Sequence, residues 1–528
     1  MTTTAPHPGQ STVDAVRARL ADHLADLVTP DGAVPGHCRG RVLETALALR
    51  LSTLTELPCP RETAGMRRFL TGVADATPLE RAFLRQALGD ALPEGPRRAA
   101  ELLRGFDHHT AGPKKELVDV VLRLLGADVP LPAALTALPD LAALHTWKRV
   151  ERLSHKAIAC HALGRPDLLR PDETAALVAV ADTPGIWEGN ILSRLIVLFA
   201  LHACGPAHTA LVRTGLRGVL ATARPDGGIP FILDWSVGAT SLAAMGLAGR
   251  PDRPDVTARL GERLRALQQP DGGWTYTPHS AQTDAEDSSY CLQALHALDP
   301  VRHADPVRRG LRYYLELQND DGGFPTYLRG NPSEAAMTAE GVVSLGLAGA
   351  EHADRVRRGL LHLIDRQHAD GTFELSWSRS HSSAIFRCVR ALGLARSLPQ
   401  LRPEVRPAAV RAARRSVDHL LATRNADGGW GHLPGSPSDT VSTAFSVIAL
   451  LTADPAARSA AGRAAAVTAV AAGLRHLADR QRPDGGFDCV TDEVGPRPIP
   501  YDVPHSSLGF VLKALNFAAS RGRTPHYA

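Results

Sequence analysis

The phrase QQPDGGW at Gln268–Trp274 returns as ARPDGGI (Ala223–Ile229), QNDDGGF (Gln318–Phe324), RQHADGTF (Arg366–Phe373), RNADGGW (Arg424–Trp430) and RQRPDGGF (Arg480–Phe487). Its aspartates, Asp226, Asp271, Asp321, Asp370, Asp427 and Asp484, lie 45 to 57 residues apart, a period that announces a repeat architecture. Each copy closes an amphipathic segment such as VTARLGERLRALQQ. The Asp-Gly-Gly stops that helix, because glycine accepts the left-handed backbone a helix C-terminus demands. The Trp, Phe or Ile that follows re-anchors the chain. A second segment then runs through small and aliphatic residues with little charge: VGATSLAAMGLA, SSYCLQALHAL, AMTAEGVVSLGL, SAIFRCVRALGLA, TVSTAFSVIALL and SSLGFVLKAL. Leu and Ala at helical spacing mark these as buried helices. One polar outer helix and one apolar inner helix per repeat predict an all-α fold, a double-layered α/α barrel.

Upstream the pattern is fainter. TPDGAVPGHCRGRVLETALAL (Thr29–Leu49) and GIWEGNILSRLIVLFALHA (Gly185–Ala203) read as turn-plus-inner-helix units, with amphipathic helices between them. The expected organisation is a disordered tail over 1–11, a first helix over 12–28 packing on the later barrel, a second helical domain over 29–215, and the main barrel over 216–528. A length of 528 residues supports two such domains.

Composition narrows the function classes. Hydrophobic residues at 44% and charged residues at 22% suit a globular protein. The net charge of +4 comes from 59 basic and 55 acidic residues without a basic stripe, so nucleic acid is not an expected partner. Seven scattered cysteines without a CxxC pair disfavour a disulfide framework and a zinc-thiolate site. The first residues lack a signal peptide's charged start and apolar core, and no run of about 18 apolar residues occurs. A cytoplasmic protein without stable membrane insertion is expected.

The QxxDGGW phrases resemble those of squalene-cyclase and prenyltransferase repeat proteins, and nearly the whole chain is similar to bacterial class II diterpene cyclases. That resemblance implies the βγ arrangement of two α/α barrels, the smaller inserted after the first helix of the larger, with the substrate in the cleft between them. It also implies an isoprenoid diphosphate substrate. The expected reaction is protonation-initiated cyclisation of geranylgeranyl diphosphate to a labdane-type, copalyl-like bicyclic diphosphate. Farnesyl diphosphate giving a drimane-type product is the alternative, together with a non-catalytic helical-repeat binding protein. A protein prenyltransferase β subunit would need an Asp, Cys and His zinc set, for which Asp488 and Cys489 lack the context.

The chemically loaded stretch is QTDAEDSSYCLQAL, Gln282–Leu295, which opens an inner helix after the Trp274 turn. Asp284, Glu286 and Asp287 put three carboxylates within four residues. The place resembles the DxDD motif of class II cyclases, whose middle aspartate protonates the substrate alkene; here the middle position is Glu286. An alkene is so weak a base that its donor must be an undissociated carboxylic acid held where its anion is poorly solvated. Two neighbouring carboxylates help keep one proton on the group, and the helix N-terminus opposes them.

Aromatic faces stabilise carbocations, and Trp274, Tyr276, Tyr290, Phe324 and Trp377 are the candidate cavity lining, with turn packing the competing role of each. On HTWKRVERLSHKAIACH, Lys148, Arg152 and Lys156 share one helical face at i, i+4 and i+8, suited either to a diphosphate or to solvent. By similarity, Glu188 in WEGN is a candidate ligand for Mg²⁺, and His161 resembles the histidine plant relatives use to remove the last proton. The DDxxD and NSE-type motifs of class I synthases are not apparent. The product is therefore expected to keep its diphosphate and to pass to a downstream class I terpene synthase or a phosphatase. A homodimer is left open.

Overall fold

A computed structural model describes residues 8–89, 102–103, 108–250, 252–401, 403–458, 460–488 and 490–520. The chain forms two compact units, one of Met1–Gly36, Trp235–Val494 and Asp502–Ala528, the other of His37–Asp234 and Gly495–Tyr501. Six of the seven cysteines fall among the described residues and are unpaired, while Cys489 lies outside them.

In the first unit the inner layer is a closed ring of six helices: Ser236–Leu247, Ala285–Leu298, Ala335–Gly346, His381–Ser397, Thr440–Thr452 and Ser506–Ala519. Each packs on the next, and the last packs on the first. They are buried almost throughout; every residue from Ser382 to Ala395 is enclosed, Arg387 and Arg390 included. Outside them lie Pro254–Ala266, Ala304–Leu317, Ala353–Arg366, Arg406–Ala422 and Ala460–Ala478. The sixth outer position belongs to Pro8–Asp26, which packs on Ser506–Ala519 and Ala460–Ala478. That helix starts four residues ahead of the expected Thr12, and of the expected 1–11 tail, residues 1–7 lie outside the described residues.

The repeated turns join the layers in one way. Asp271 Oδ1 accepts the Gly273 amide at 2.9 Å, and Trp274 donates its amide to Ser288 Oγ at 2.8 Å on the inner helix. Gly272, at φ +91, lies so close to the next outer helix that a Cβ would stand 2.4 Å from the Arg309 carbonyl oxygen. Gly485, at φ +85, packs in the same way on Arg19 of the first helix, closing the outer layer.

The domain boundaries differ from the sequence expectation, and the turns give the reason. The TPDGAV turn does not serve the helix that follows it: Val34 donates its amide to Thr240 Oγ1, 206 residues later, at 2.9 Å. The ARPDGGI turn likewise serves an earlier helix, with Ile229 donating to Thr45 Oγ1, 184 residues back, at 2.8 Å. The two turns have exchanged inner helices, so the boundaries fall at 36/37 and 234/235 rather than at 28/29 and 215/216. Residues 495–501 also belong to the second unit.

The second unit is built on Val42–Leu54, Ala111–Leu124, Thr146–Ala162 and Ile191–Ala203, whose apolar faces form one core. A two-residue antiparallel pairing of Gly40 with Pro230 and Arg41 with Ile229 ties its first segment to its last long one. Arg41 then pairs with Glu44 and donates to the carbonyls of Gly495 and Pro500, fixing the returning segment. Among the described residues no helix is long and apolar enough to cross a membrane.

Candidate active site

Asp284 occupies a position that three of the repeats fill with a carboxylate. It is the N-cap of Ala285–Leu298, its side chain accepting the Asp287 amide at 2.8 Å and its own amide donating to the Trp274 carbonyl at 3.1 Å. Asp439 caps Thr440–Thr452 identically, accepting from Ser442 and donating to Trp430 O. Glu334 donates to Phe324 O at the same point of its own repeat. What the acid-bearing repeat has alone are the next carboxylates: where Glu286 and Asp287 stand, the other two carry Ala336 and Met337, and Val441 and Ser442. A local break in a repeat's pattern is where function is expected.

The three carboxyls differ in surroundings. Asp284 and Asp287 are 5% and 4% exposed, whereas the side chain of Glu286 is 22% exposed. Burial pushes the Asp284 carboxyl up to about 7, against the hydrogen bond from the Asp287 amide. Burial, with Asp284 and Glu286 alongside, holds the Asp287 carboxyl well above the usual range. Trp235 Nε1 donates to Asp287 Oδ2 at 3.3 Å.

Glu286 Oε1 accepts from Tyr290 OH at 2.8 Å and from Arg387 Nη2 at 2.6 Å. Burial opposes the Arg387 charge, but Tyr290, Glu286 and Glu340 raise its pKa and hold it protonated. The guanidinium carbon also lies 4.8 Å from the centre of the Phe386 ring and 5.9 Å from those of Phe445 and Phe510. Phe386 and Phe445 stack at 4.7 Å, with Phe510 edge-on to both.

Sequence reasoning missed Arg387, Glu340, Phe445 and Phe510. The signal was present, since an arginine and a glutamate inside otherwise apolar inner-helix segments must find partners there.

The aromatic expectations divide. Trp274 and Phe324 are fully buried turn anchors rather than cavity walls. Trp274 Nε1 donates to Leu264 O, as Trp430 Nε1 does to Leu420 O, and Gly341 packs against the Phe324 ring. Tyr290 sits at the acid. Tyr276 and Trp377 are half-buried, and Trp377 Nε1 donates to Thr326 Oγ1 at 3.0 Å.

In the second unit the expected basic face is already partnered. Lys156 is buried and ion-paired with Glu173 at 2.7 Å, so its charge is neutralised inside the core. Arg152 pairs with Glu116, and Lys148 with Glu151. The structure adds Lys114 and Arg497 to Lys148. Surrounding protein and the Lys148 charge push the Lys114 ammonium down to about 7. Lys114 makes no ion pair among the described residues, and Arg497 is buried with Nη1 2.8 Å from His108 Nε2. Lys114 and Lys148 both lie beside the Glu151 carboxylate, and Lys148 and Glu151 keep 17% and 12% exposure. Arg497 was invisible in the sequence because it arrives on the 495–501 segment.

Glu188 holds a left-handed backbone at φ 50, rare for a residue with a side chain, and accepts from Thr146 Oγ1 at 3.0 Å. Among the described residues no three His, Cys, Asp or Glu side chains group to hold a metal. His161 is half-buried in the last turn of its helix in the second unit.

Residues 232–386 match the squalene-hopene cyclase C-terminal domain family, and residues 375–499 the prenyltransferase alpha-alpha toroid domain family. The chain is 38% identical to the drimenyl diphosphate synthase of Streptomyces showdoensis, over 98% of its own length and 97% of that protein. It is also 38% identical to the drimenyl diphosphate synthase of Streptantibioticus cattleyicolor, over 98% and 96%. The ent-copalyl diphosphate synthase from Streptomyces platensis shares the fold with a TM-score of 0.55 at 18% identity, covering 97% of this chain and 99% of that one. With its closed α/α ring and end-to-end similarity to these synthases, the chain is an enzyme that belongs to the class II terpene cyclase family.

Proposed function

We propose that this enzyme cyclises farnesyl diphosphate to a drimane-type bicyclic diphosphate and leaves the diphosphate in place. The observation that carries the reading is the 38% identity, over 98% of the chain, to two drimenyl diphosphate synthases. The twenty-carbon substrate expected from the sequence rested on resemblance to diterpene cyclases, and the copalyl relative, at 18% identity, speaks to fold alone.

In this reading Glu286 gives its proton to the terminal alkene carbon of the substrate. Two ring closures carry the cation inward, and loss of a proton from a neighbouring carbon restores an alkene, so substrate and product are isomers. Support for Glu286 comes from its exposure, the largest of the three carboxyls. Arg387 and Tyr290 are already aimed at the anion that proton transfer creates, the preorganised electrostatics that lower such barriers. Asp287 supports it as a buried neighbour, and Asp284 as the cap that sets the helix start. Tyr290, Tyr276 and Trp377 are the proposed aromatic surroundings. His161, by resemblance to the histidine of plant cyclases, is the proposed acceptor of the last proton.

The positive charge that Lys114, Lys148 and Arg497 gather in one place supports binding of the diphosphate. Magnesium binds through one or two carboxylates plus phosphate oxygens, and the conformationally held Glu188 carboxylate fits such a role. When bound, the ion would neutralise diphosphate charge. A product that keeps its diphosphate suits a downstream class I synthase or a phosphatase.

Purified protein incubated with Mg²⁺ and either farnesyl or geranylgeranyl diphosphate, then dephosphorylated and analysed by mass spectrometry, tests the reading. A bicyclic alcohol from the fifteen-carbon substrate is expected. Cyclisation of the twenty-carbon substrate alone would overturn the proposed chain length, and no cyclic product from either would overturn the catalytic reading.

A further inference from the structure

The inner ring carries a second carboxylate that faces Arg387. Glu340, on Ala335–Gly346, is 1% exposed, and its Oε1 lies 3.4 Å from Arg387 Nε. The pair is an ion contact without a hydrogen bond: both Nε and Oε1 are buried and lack hydrogen-bond partners. The other oxygen is anchored, Oε2 accepting from Ser289 Oγ at 2.8 Å and from Gln293 Nε2 at 3.1 Å. Ser289 in turn contacts Ser344 Oγ at 2.9 Å, and Gln293 Oε1 accepts from Arg390. One guanidinium therefore stands between a fixed carboxylate and the more accessible Glu286, closer to the latter at 2.6 Å.

We propose that Glu340 is a positioning residue for the acid: by competing for Arg387, it sets how tightly the guanidinium holds the Glu286 carboxylate. The proposal rests on Glu286 being the proton donor. An acid must keep its proton until the alkene arrives, yet its anion must be stabilised once the proton has left. A guanidinium committed to Glu286 alone would favour loss of its proton to water before the alkene arrives, and no cation at all would leave the anion unsupported. Sharing Arg387 meets both demands. While Glu286 is neutral, Arg387 is balanced by Glu340; as Glu286 ionises, the same cation is already within hydrogen-bonding distance.

Other charges face this group and are fixed background to it. Asp284 and Asp287 lie on the helix of Glu286. Arg390, one turn along from Arg387, is tied to Gln293. Lys513 projects from Ser506–Ala519, its ammonium pushed well below the usual range by burial and by Arg390. The phenols of Tyr290 and Tyr314 are pushed upward by burial, as is the Cys388 thiol. Among the described residues Arg387, 2.6 Å from Glu286 and 3.4 Å from Glu340, is the one charge in direct contact with both carboxylates.

The test uses the full-length protein with Glu340→Gln, an isosteric change, and the paired variant Glu340→Gln with Arg387→Met, which leaves no stranded charge. Titration of the Glu286 carboxyl by ¹³C NMR is the readout, with the signal assigned by its loss in Glu286→Gln. It does not require turnover, so it stands apart from the fate of the proposed reaction. The Glu340→Gln midpoint is expected to fall by about 1 pH unit, and that of the paired variant to rise above the parent. With farnesyl diphosphate, the alkaline limb of kcat should follow the same two shifts, while KM stays unchanged. A Glu286 midpoint unmoved by Glu340→Gln, or moved in the same direction by both variants, would overturn the proposal. Loss of kcat by an equal factor at every pH, with the midpoint unmoved, would assign Glu340 a purely structural role.

Discussion

The indole Nε1 of Trp235 donates to Asp287 Oδ2 across 3.3 Å, while the other carboxyl oxygen, Oδ1, is buried without a hydrogen-bond partner. A carboxyl so placed favours its neutral form, and its neighbour Asp284 is raised from 3.8 to about 7 for the same reason of burial. Between these values the folded state binds more protons than the unfolded chain. The contribution of Asp284 to stability is therefore complete below about pH 4 and is lost as pH rises through about 7, and Asp287 acts in the same direction.

Asp287→Asn removes the need to bury a charge. At pH 8 it should stabilise the protein by about 1–3 kcal/mol, with a smaller gain at pH 5, while lowering turnover. Thermal melts at the two pH values, set beside steady-state rates, check the opposed signs.

Glu286→Gln keeps the size and the hydrogen bond from Tyr290 but has no proton of sufficient acidity. It should lower kcat by about 10²–10⁴-fold, with an unchanged circular dichroism spectrum and melting curve. Full turnover in this variant would remove Glu286 from the reaction.

Lys114 provides a binding test that needs no chemistry. Its ammonium is held near 7 by burial and by Lys148, so at pH 8 it is mostly neutral. A bound diphosphate would favour its charged form. Calorimetric titration with inorganic diphosphate at pH 8, in buffers of different ionisation heat, should show uptake of about half to one proton. Lys114→Met should abolish the uptake and weaken binding about tenfold, the effect of roughly 1.4 kcal/mol.

Gly485→Ala places a Cβ 2.6 Å from the Arg19 carbonyl oxygen at φ +85. The strained backbone should cost about 1–3 kcal/mol, and hydrogen exchange should rise selectively in Pro8–Asp26. An equal substitution at Gly330, also at positive φ but with open space around it, should leave that helix protected.

Much of the architecture was legible because Asp-Gly-Gly turns and apolar inner segments each have a local cause. Helix periodicity and the stop signal need no knowledge of distant residues. The exchange of inner helices between the turns at Val34 and Ile229 was hidden for the converse reason: both turns look alike, and only tertiary packing decides which threonine each one meets. The acid tetrad was visible as three carboxylates, but their division was not. Asp284 reads as part of the tetrad until Asp439 and Glu334 reveal the same capping place in sister repeats. Lys156 looked exposed on a basic face because nothing nearby in sequence announces Glu173 beneath it. Trp274 and Phe324 looked like cavity aromatics because a turn anchor and a cavity wall are written with the same residues.

The bond from Val34 to Thr240 also dictates an order of assembly during synthesis. When Val34 leaves the ribosome its partner is 206 residues from being made, and the outer slot of the first helix needs Ser506–Ala519 as well. Apart from the short 495–501 return, the second unit is complete once residue 234 emerges. It has the means to collapse first, while the leading helix waits for the last one. Such long-range closure is slow and comes late, so the acid-bearing ring closes only once Ser506–Ala519 has been made, and loss of that helix removes the partner of the first one.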